Sequence, residues 1–175
     1  MRIPQRPGVP LPTLRCMNEL LAHPDELQRA YAMATPAARL RVIKQRLASA
    51  NGEMGSTRLV TMVSAVEALA RSLVVHSAGR PASTAEMRHR QFRATGPVEL
   101  VEEVLRLRGA AKALEHFEQD TWELFEVAAR YRDLIVHECT YVGPDRHPYL
   151  IAAAEAVLRG LIELAGLEVR PKAVG

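Results

Sequence analysis

Two side chains in the second half of the sequence, Arg132 and His137, have the chemistry needed to act together on a phosphate ester. A guanidinium is a permanent cation that binds phosphate through parallel hydrogen bonds. An imidazole takes up and releases a proton near neutral pH, which suits general acid–base catalysis. Apolar residues around both positions recur at helical spacing from about residue 119. The stretch therefore predicts a helix on which an arginine able to bind an anion and a histidine able to exchange a proton lie five residues apart.

Arg132 has an unusual position on this predicted helix. At roughly 100° per residue the apolar side chains cover a wide arc, which is typical of a helix in the middle of a bundle. The apolar positions are Trp122, Leu124, Phe125, Val127, Ala128, Ala129, Tyr131, Leu134, Ile135 and Val136. Arg132 projects inside that arc, where a charged group needs a carboxylate, backbone carbonyls or a phosphate. Either an acid such as Glu67 on another helix neutralises Arg132, or Arg132 forms a preorganised anion site.

The segment Arg132-Asp133-Leu134-Ile135-Val136-His137 resembles the R-x-x-x-x-H signature of HEPN domains. In that signature a polar residue often follows the Arg, and apolar residues precede the His. The surroundings are similar as well, because a loop and a final helix over residues 148–165 follow the motif. An earlier long helix carries the acidic and basic segment 64–71. The resemblance covers about residues 55–168.

This resemblance implies an up-and-down, all-helical bundle that forms a homodimer and brings two motifs together across the interface. Many HEPN proteins are metal-independent endoribonucleases, and the resemblance implies a toxin or phage-defence component. By position, Arg132 would hold the scissile phosphate, His137 would assist proton transfer, and Asp133 would support them. The implied partners are RNA, a second copy of the chain, and an antitoxin or other regulatory protein. No cofactor and no metal are implied.

Two further residues are candidates for supporting roles at this site. Glu67 would pair with Arg132 if it faces the bundle, and Tyr141 would line the site. Some HEPN toxins carry a Tyr two residues after the His, but this chain has Cys139 there. Two alternatives to the nuclease stay open. One is a non-catalytic HEPN-like module that binds RNA, a nucleotide or a partner protein, and the other is a structural protein in which Arg132 only neutralises Glu67.

The basic stretch of residues 78–97 is predicted to be a long loop, because glycines and prolines punctuate both of its ends. The candidate RNA-binding residues in this stretch are Arg80, Arg88, Arg90 and Arg93. Arginines bind phosphates, and the neighbouring Phe92 offers a ring on which a base could stack. The simpler alternative is a solvated loop. Metal-ligand spacings, glycine-rich phosphate loops and paired-cysteine motifs do not occur in the sequence, which disfavours zinc fingers and Rossmann enzymes.

Amino-acid composition and the positions of proline and glycine predict the domain organisation. Abundant Ala, Leu and Arg with few aromatic residues favour helices, and a formal charge of +3 is compatible with nucleic acid. Cys16 and Cys139 form no disulfide framework, so we expect a cytoplasmic protein. Charged residues interrupt the long apolar segments, so we expect no membrane contact. Four prolines in residues 1–12 predict an extended arm. We predict an N-terminal region of arm and helices over 1–52, a helical bundle over 53–168, and a loose tail over 169–175.

The helix after the glycines at 52 and 55 is predicted to supply the centre of the core, because apolar residues recur along it at helical spacing. Its predicted core positions are Leu59, Met62, Val63, Val66, Leu69, Ala70, Leu73 and Val74. On the same helix, Glu67 and Arg71 are four residues apart, which is the spacing of a surface ion pair.

Overall fold

The computed structural model describes residues 24, 26, 27, 30, 31, 33–77, 81–140, 143 and 146–167. Within these ranges the chain is helical and has no strand, which confirms the all-α bundle. Contacts divide the chain into two units, Met1–Ala32 and Met33–Gly175. In the first unit the described residues 24, 26, 27, 30 and 31 are helical. The predicted arm and the predicted C-terminal tail lie outside the described residues.

The second unit contains seven α-helices in its described part. They are α1 (Pro36–Ser49), α2 (Gly55–Val75), α3 (Ala85–Gln91), α4 (Pro97–Arg108), α5 (Ala113–His116), α6 (Gln119–Glu138) and α7 (His147–Leu164). A 3-10 helix, Ala82–Thr84, precedes α3. Local signals start and end these helices as expected, since Thr35 caps α1 through its side chain and Gly109 ends α4 with a φ of 64°. None of the described helices combines the length and apolarity that crossing a membrane would need.

Helix α2 is the centre of the bundle and packs against α1, α4, α6 and α7. All eight of its predicted core residues are buried, so the helical periodicity of the sequence is confirmed. Phe125 of α6, Leu100 of α4 and Leu161 of α7 are fully buried in the same core. Helix α3 contacts α2 as well, so α2 has five helical neighbours, and a side chain on one of its faces has a fixed neighbour on another helix. This packing positions Glu67 against α6.

Helix α1 belongs to the bundle, because its Leu40 and Ile43 are buried in the core. The predicted boundary at residue 53 separates this helix from the bundle, whereas the contacts place the division between Ala32 and Met33. The glycines at 52 and 55 therefore mark a turn between two packed helices rather than the edge of a domain. Apolar spacing within α1 indicates that one side is buried, but it does not identify what covers that side.

An aromatic layer fixes the start of α6 against α7. Phe117 stacks on Trp122 with ring centroids 5.7 Å apart, and Trp122 contacts Phe125. A Cβ atom at Gly160 would lie 2.6 Å from the Phe117 ring, so glycine is required for this close approach. The first turns of α6 are thereby held firmly, which sets the direction in which its later residues point.

The prediction of an uninterrupted loop over residues 78–97 is wrong, because the described part contains the 3-10 helix and α3. Proline and glycine mark the ends of this stretch, as expected, but they do not break its middle. Helix α3 is held by Arg88, whose Nε donates a 2.6 Å hydrogen bond to the carbonyl of Val75 at the end of α2. This anchor is a tertiary contact that sequence periodicity does not report.

Candidate functional site

Arg132 faces α2 from the second half of α6, and its side chain is 16% exposed. Its Nη2 donates a hydrogen bond to Oε2 of Glu67, and its Nη1 lies 3.0 Å from Oδ1 of Asp133. Nε of Arg132 is buried and has no hydrogen-bond partner in the described part of the chain. The structure therefore brings Arg132 together with both predicted supporting acids. Two carboxylates hold its guanidinium, which is also left with one unused donor.

Glu67 bridges two arginines. While Oε2 accepts from Arg132, Oε1 accepts a 2.5 Å hydrogen bond from Nη2 of Arg71, one turn further along α2. Arg71 also donates to the carbonyls of Phe92, Arg93 and Thr95, in the turn after α3. The sequence indicated the pairing of Glu67 with Arg71, but it gave no signal for the carbonyl contacts. Arg71 thus ties Glu67 to the turn between α3 and α4.

We call Glu67, Arg71, Arg132 and Asp133 the Glu67 cluster. Its formal charges cancel, because two guanidinium groups are matched by two carboxylates. Glu67 and Arg71 are mostly buried, whereas Asp133 is about half exposed. Ion pairs are weakened less by solvent when they are buried, so the two contacts of Glu67 dominate the cluster. In this arrangement carboxylates already balance the positive charge of Arg132.

His137 is exposed near the C-terminal end of α6, while Arg132 points into the bundle. Five residues along an α-helix correspond to a rise of about 7.5 Å and a rotation of about 140°. The two motif side chains therefore leave the helix on different sides. Cys139 ends the helix with a φ of 49°, and Tyr141 lies outside the described residues. Within one chain, the described residues do not bring His137 to the Glu67 cluster.

The candidate RNA-binding arginines have different surroundings. Arg80 lies outside the described residues, and Arg88 is only 5% exposed. The guanidinium of Arg88 bonds the carbonyls of Val75 and Pro81 and the hydroxyl of Thr84, so it is not presented to solvent.

Arg90 and Arg93 are the two candidates that the described surface exposes. Arg90 pairs with Glu86 at 2.7 Å. Phe92 is half-buried against the core, which leaves only part of its ring for stacking on a base. Burial lowers the pKa of His89, and the charges of Arg71 and Arg93 lower this pKa further.

One side of α6 is apolar and exposed, which the sequence pattern did not distinguish from the buried side. Trp122, Phe125, Ala128 and Ala129 are buried, as expected for a central helix. Four other apolar side chains are between 37% and 49% exposed. Leu124, Val127 and Leu134 lie on one side of the helix, whereas Val136 projects in nearly the same direction as Phe125, close to the end of the helix. A helical wheel gives the direction of each side chain, but it does not tell whether another element covers that direction.

The described residues form no metal site. No group of three or more His, Cys, Asp or Glu side chains among them is arranged to hold a metal ion. An open groove of about 630 Å³ lies between α4, α5 and α6, with Leu105, Ala113 and Trp122 in its lining. It contains none of the predicted site residues. No family model, curated protein or solved structure matches this chain.

Proposed function

We propose that this protein is a metal-independent endoribonuclease of the HEPN type, with a composite active site between two copies of the chain. The observation that supports this most is the R-x-x-x-x-H segment near the end of α6, where His137 is exposed to an incoming substrate. In this proposal Arg132 binds the scissile phosphate, His137 moves protons, and Asp133 supports the arginine. A role as a toxin or phage-defence component, with an antitoxin or other regulator as partner, belongs to the same proposal.

The proposed chemistry needs no metal. A neutral imidazole removes the proton from a ribose 2′-hydroxyl, and the 2′ oxygen attacks the adjacent phosphorus. The bond from phosphorus to the 5′ oxygen breaks, and an imidazolium gives that oxygen a proton. The products are a 2′,3′-cyclic phosphate and a 5′-hydroxyl. The guanidinium stabilises the negative charge that develops on the phosphoryl oxygens. In each composite site, His137 of one copy would act first as the base and then, as an imidazolium, as the acid, beside Arg132 of the other copy.

The divergence of Arg132 and His137 on one helix supports a site that needs a second copy. The apolar side of α6 offers a surface for that copy, because Leu124, Val127, Tyr131 and Leu134 follow one another at intervals of three, four and three residues. This is the spacing of a seam between two packed helices. A two-fold axis through the seam would pair the surface with itself, as most homodimers do. Two motifs would then lie on neighbouring helices.

The composite site is tested by mixing two inactive variants. Arg132→Ala and His137→Ala carry different tags, are co-expressed, and the mixed dimer is purified through both tags. Cleavage of a labelled single-stranded RNA is compared with that of each variant alone. We expect each variant to be inactive and the mixed dimer to regain up to half of the wild-type rate, because one of its two sites is intact. A mixed dimer that stays inactive, or a strictly monomeric wild type that cleaves RNA, would contradict the composite site.

A second candidate function is a non-catalytic module that binds RNA, a nucleotide or a partner protein. The observation that favours it is the Glu67 cluster, in which carboxylates already occupy the guanidinium of Arg132. If this candidate is correct, the protein binds RNA without cutting it, and His137→Ala changes neither property. The purely structural alternative predicts in addition that Arg132→Ala leaves RNA affinity unchanged and lowers only the stability.

A further inference from the structure

Glu67 is a carboxylate in contact with the arginine that would bind phosphate, and this has a consequence for RNA binding. We infer that Glu67 is a positioning residue that competes with RNA for Arg132: its carboxylate holds the guanidinium in the RNA-free protein, and an RNA phosphate replaces it there. This inference rests on the phosphate-binding role of Arg132 in the proposed function. It adds the group that controls access to that arginine.

The N–H groups of Arg132 that could bind a phosphate include the one that contacts Glu67. A guanidinium binds phosphate through two parallel N–H groups, and both of the available pairs, Nη1 with Nη2 and Nε with Nη2, include Nη2. Nη2 is the atom that donates to Glu67. Nε is buried without a partner, and Nη1 lies beside Asp133. Nη2 carries two N–H groups, but a phosphate that approached Nη2 while Glu67 remained there would meet a carboxylate of the same charge. The two-bond contact with Arg132 is therefore favourable when Glu67 withdraws from Nη2.

Glu67 keeps an ion-pair partner when it releases Arg132. A buried carboxylate without a partner would be strongly destabilising. Glu67 keeps its second oxygen on Arg71, which three backbone carbonyls hold in place. The carboxylate thus remains paired in both states, and the phosphate takes over the charge of Arg132. The charges are paired both when Glu67 contacts Arg132 and when a phosphate contacts it. A ligand that favours the second arrangement can therefore shift the protein into it.

The test measures binding without cleavage. The probe is a fluorescently labelled single-stranded RNA in which every ribose carries a 2′-O-methyl group, so the attacking hydroxyl is absent. Glu67→Gln should bind this RNA about tenfold more tightly than the wild type, because the cluster becomes net positive and Nη2 is released more easily. The double variant Glu67→Gln with Arg132→Gln should lose this gain. Equal or weaker binding by Glu67→Gln would overturn the inference.

Glu155→Gln is the matched control. Glu155 also pairs with an arginine, Arg58, at 3.4 Å, and its substitution changes the net charge by the same amount. We expect less than about a twofold change in RNA affinity from it, since Glu155 pairs with Arg58 and not with Arg132. A gain equal to that of Glu67→Gln would mean that only the overall charge matters, which would contradict the inference.

The salt dependence of binding separates this role from a structural one. On single strands the slope of log affinity against log salt changes by about 0.7 for each phosphate contact. If RNA displaces Glu67 from Arg132 in only part of the wild-type complexes, Glu67→Gln should show a steeper slope than the wild type. The double variant should show a shallower slope than either protein. An unchanged slope in Glu67→Gln would indicate that no further phosphate reaches Arg132.

A second variant covers the case in which Glu67→Gln does not fold. Asp133 is about half exposed and sits beside Nη1 of Arg132, so Asp133→Asn removes a charge from the cluster with little risk to packing. We expect about a threefold gain in RNA affinity, smaller than for Glu67→Gln because solvent screens the exposed carboxylate. No gain from Asp133→Asn would then overturn the inference.

The outcome is independent of catalysis. If the wild type cuts no RNA but Glu67→Gln gains affinity through Arg132, the nuclease proposal fails and the competition stands. If the wild type cuts RNA and Glu67→Gln binds it no more tightly, the competition fails and the nuclease proposal stands.

Discussion

Arg88 and Arg132 are two arginines packed against α2, and the protein satisfies them in different ways. Arg88 donates to two backbone carbonyls and a hydroxyl, all neutral acceptors at the junction of α2 and α3. Arg132 contacts the carboxylates of Glu67 and Asp133 and keeps one buried donor unpaired. The sequence alone marked both as candidates for binding RNA phosphate.

The difference lies in what an external anion could replace. Backbone carbonyls belong to the fold, so a phosphate could reach Arg88 only if the end of α2 came apart. The carboxylate of Glu67 is a side chain with a second partner, and a phosphate carries the same sign of charge. Arg88 therefore acts as a structural anchor, whereas Arg132 is held by a group that an anion can displace. The predictions below test this contrast, beginning with the largest expected effect.

Arg88→Met should destabilise the protein by about 3 kcal/mol, because the buried carbonyl of Val75 and the hydroxyl of Thr84 lose a charged donor. The free energy of unfolding is measured by urea titration with circular dichroism. Arg90→Met is the matched control on the same helix, and its exposed pair with Glu86 should contribute less than about 0.5 kcal/mol. Equal losses in the two variants would show that Arg88 is not an anchor.

Arg132→Met should cost less, about 1–2 kcal/mol, because Glu67 loses one partner but keeps Arg71. Adding Glu67→Gln to this variant should recover part of the loss, since the acid left with a single partner is then neutral. The same urea titrations measure both changes. The contrast between the two arginines would be lost if Arg132→Met were as destabilising as Arg88→Met, or if Glu67→Gln gave no relief.

Acidic pH should lower the free energy of unfolding through His76, which lies at the end of α2 near Arg88. Burial lowers the pKa of His76 from its ordinary value of 6.5, and the charge of Arg88 lowers it further. Between the lowered folded pKa and 6.5 the unfolded chain binds more protons, so stability rises with pH and is fully present above that range.

The expected result is a loss of unfolding free energy between about pH 7 and about pH 5 that is smaller in His76→Gln than in the wild type. His116→Gln serves as a control for the loss of a histidine elsewhere. A pH dependence that is the same in His76→Gln and the wild type would show that protonation of this histidine does not destabilise the fold. We expect this to be the smallest of the three stability effects.

The sequence predicts much of this architecture, for identifiable reasons. Periodic apolar residues fix which face of α2 is buried, and all eight predicted positions are buried. The wheel of α6 placed Arg132 inside an apolar arc and named Glu67 as a partner, and the two residues are in contact. Both results follow from helical geometry, which depends only on local sequence.

Other features depend on contacts that periodicity does not encode. Helix α3 exists because Arg88 reaches the carbonyl of Val75, and Arg71 contributes bonds to the turn after α3 that no spacing suggests. Val136 projects in nearly the same direction as Phe125, yet Val136 is exposed and Phe125 is buried. Whether an apolar direction is covered depends on the packing of distant elements, so sequence patterns leave it open.

The central claim, that His137 and Arg132 form a metal-independent ribonuclease site, is tested most directly by cleavage of labelled single-stranded RNA in excess EDTA. Wild type and His137→Ala are compared after circular dichroism has shown that both are folded. We predict that the wild type cuts the RNA and that the variant is slower by a factor of about 10² or more, because acid–base catalysis is lost. Equal cleavage by the two proteins, or cleavage by neither, would contradict the claim.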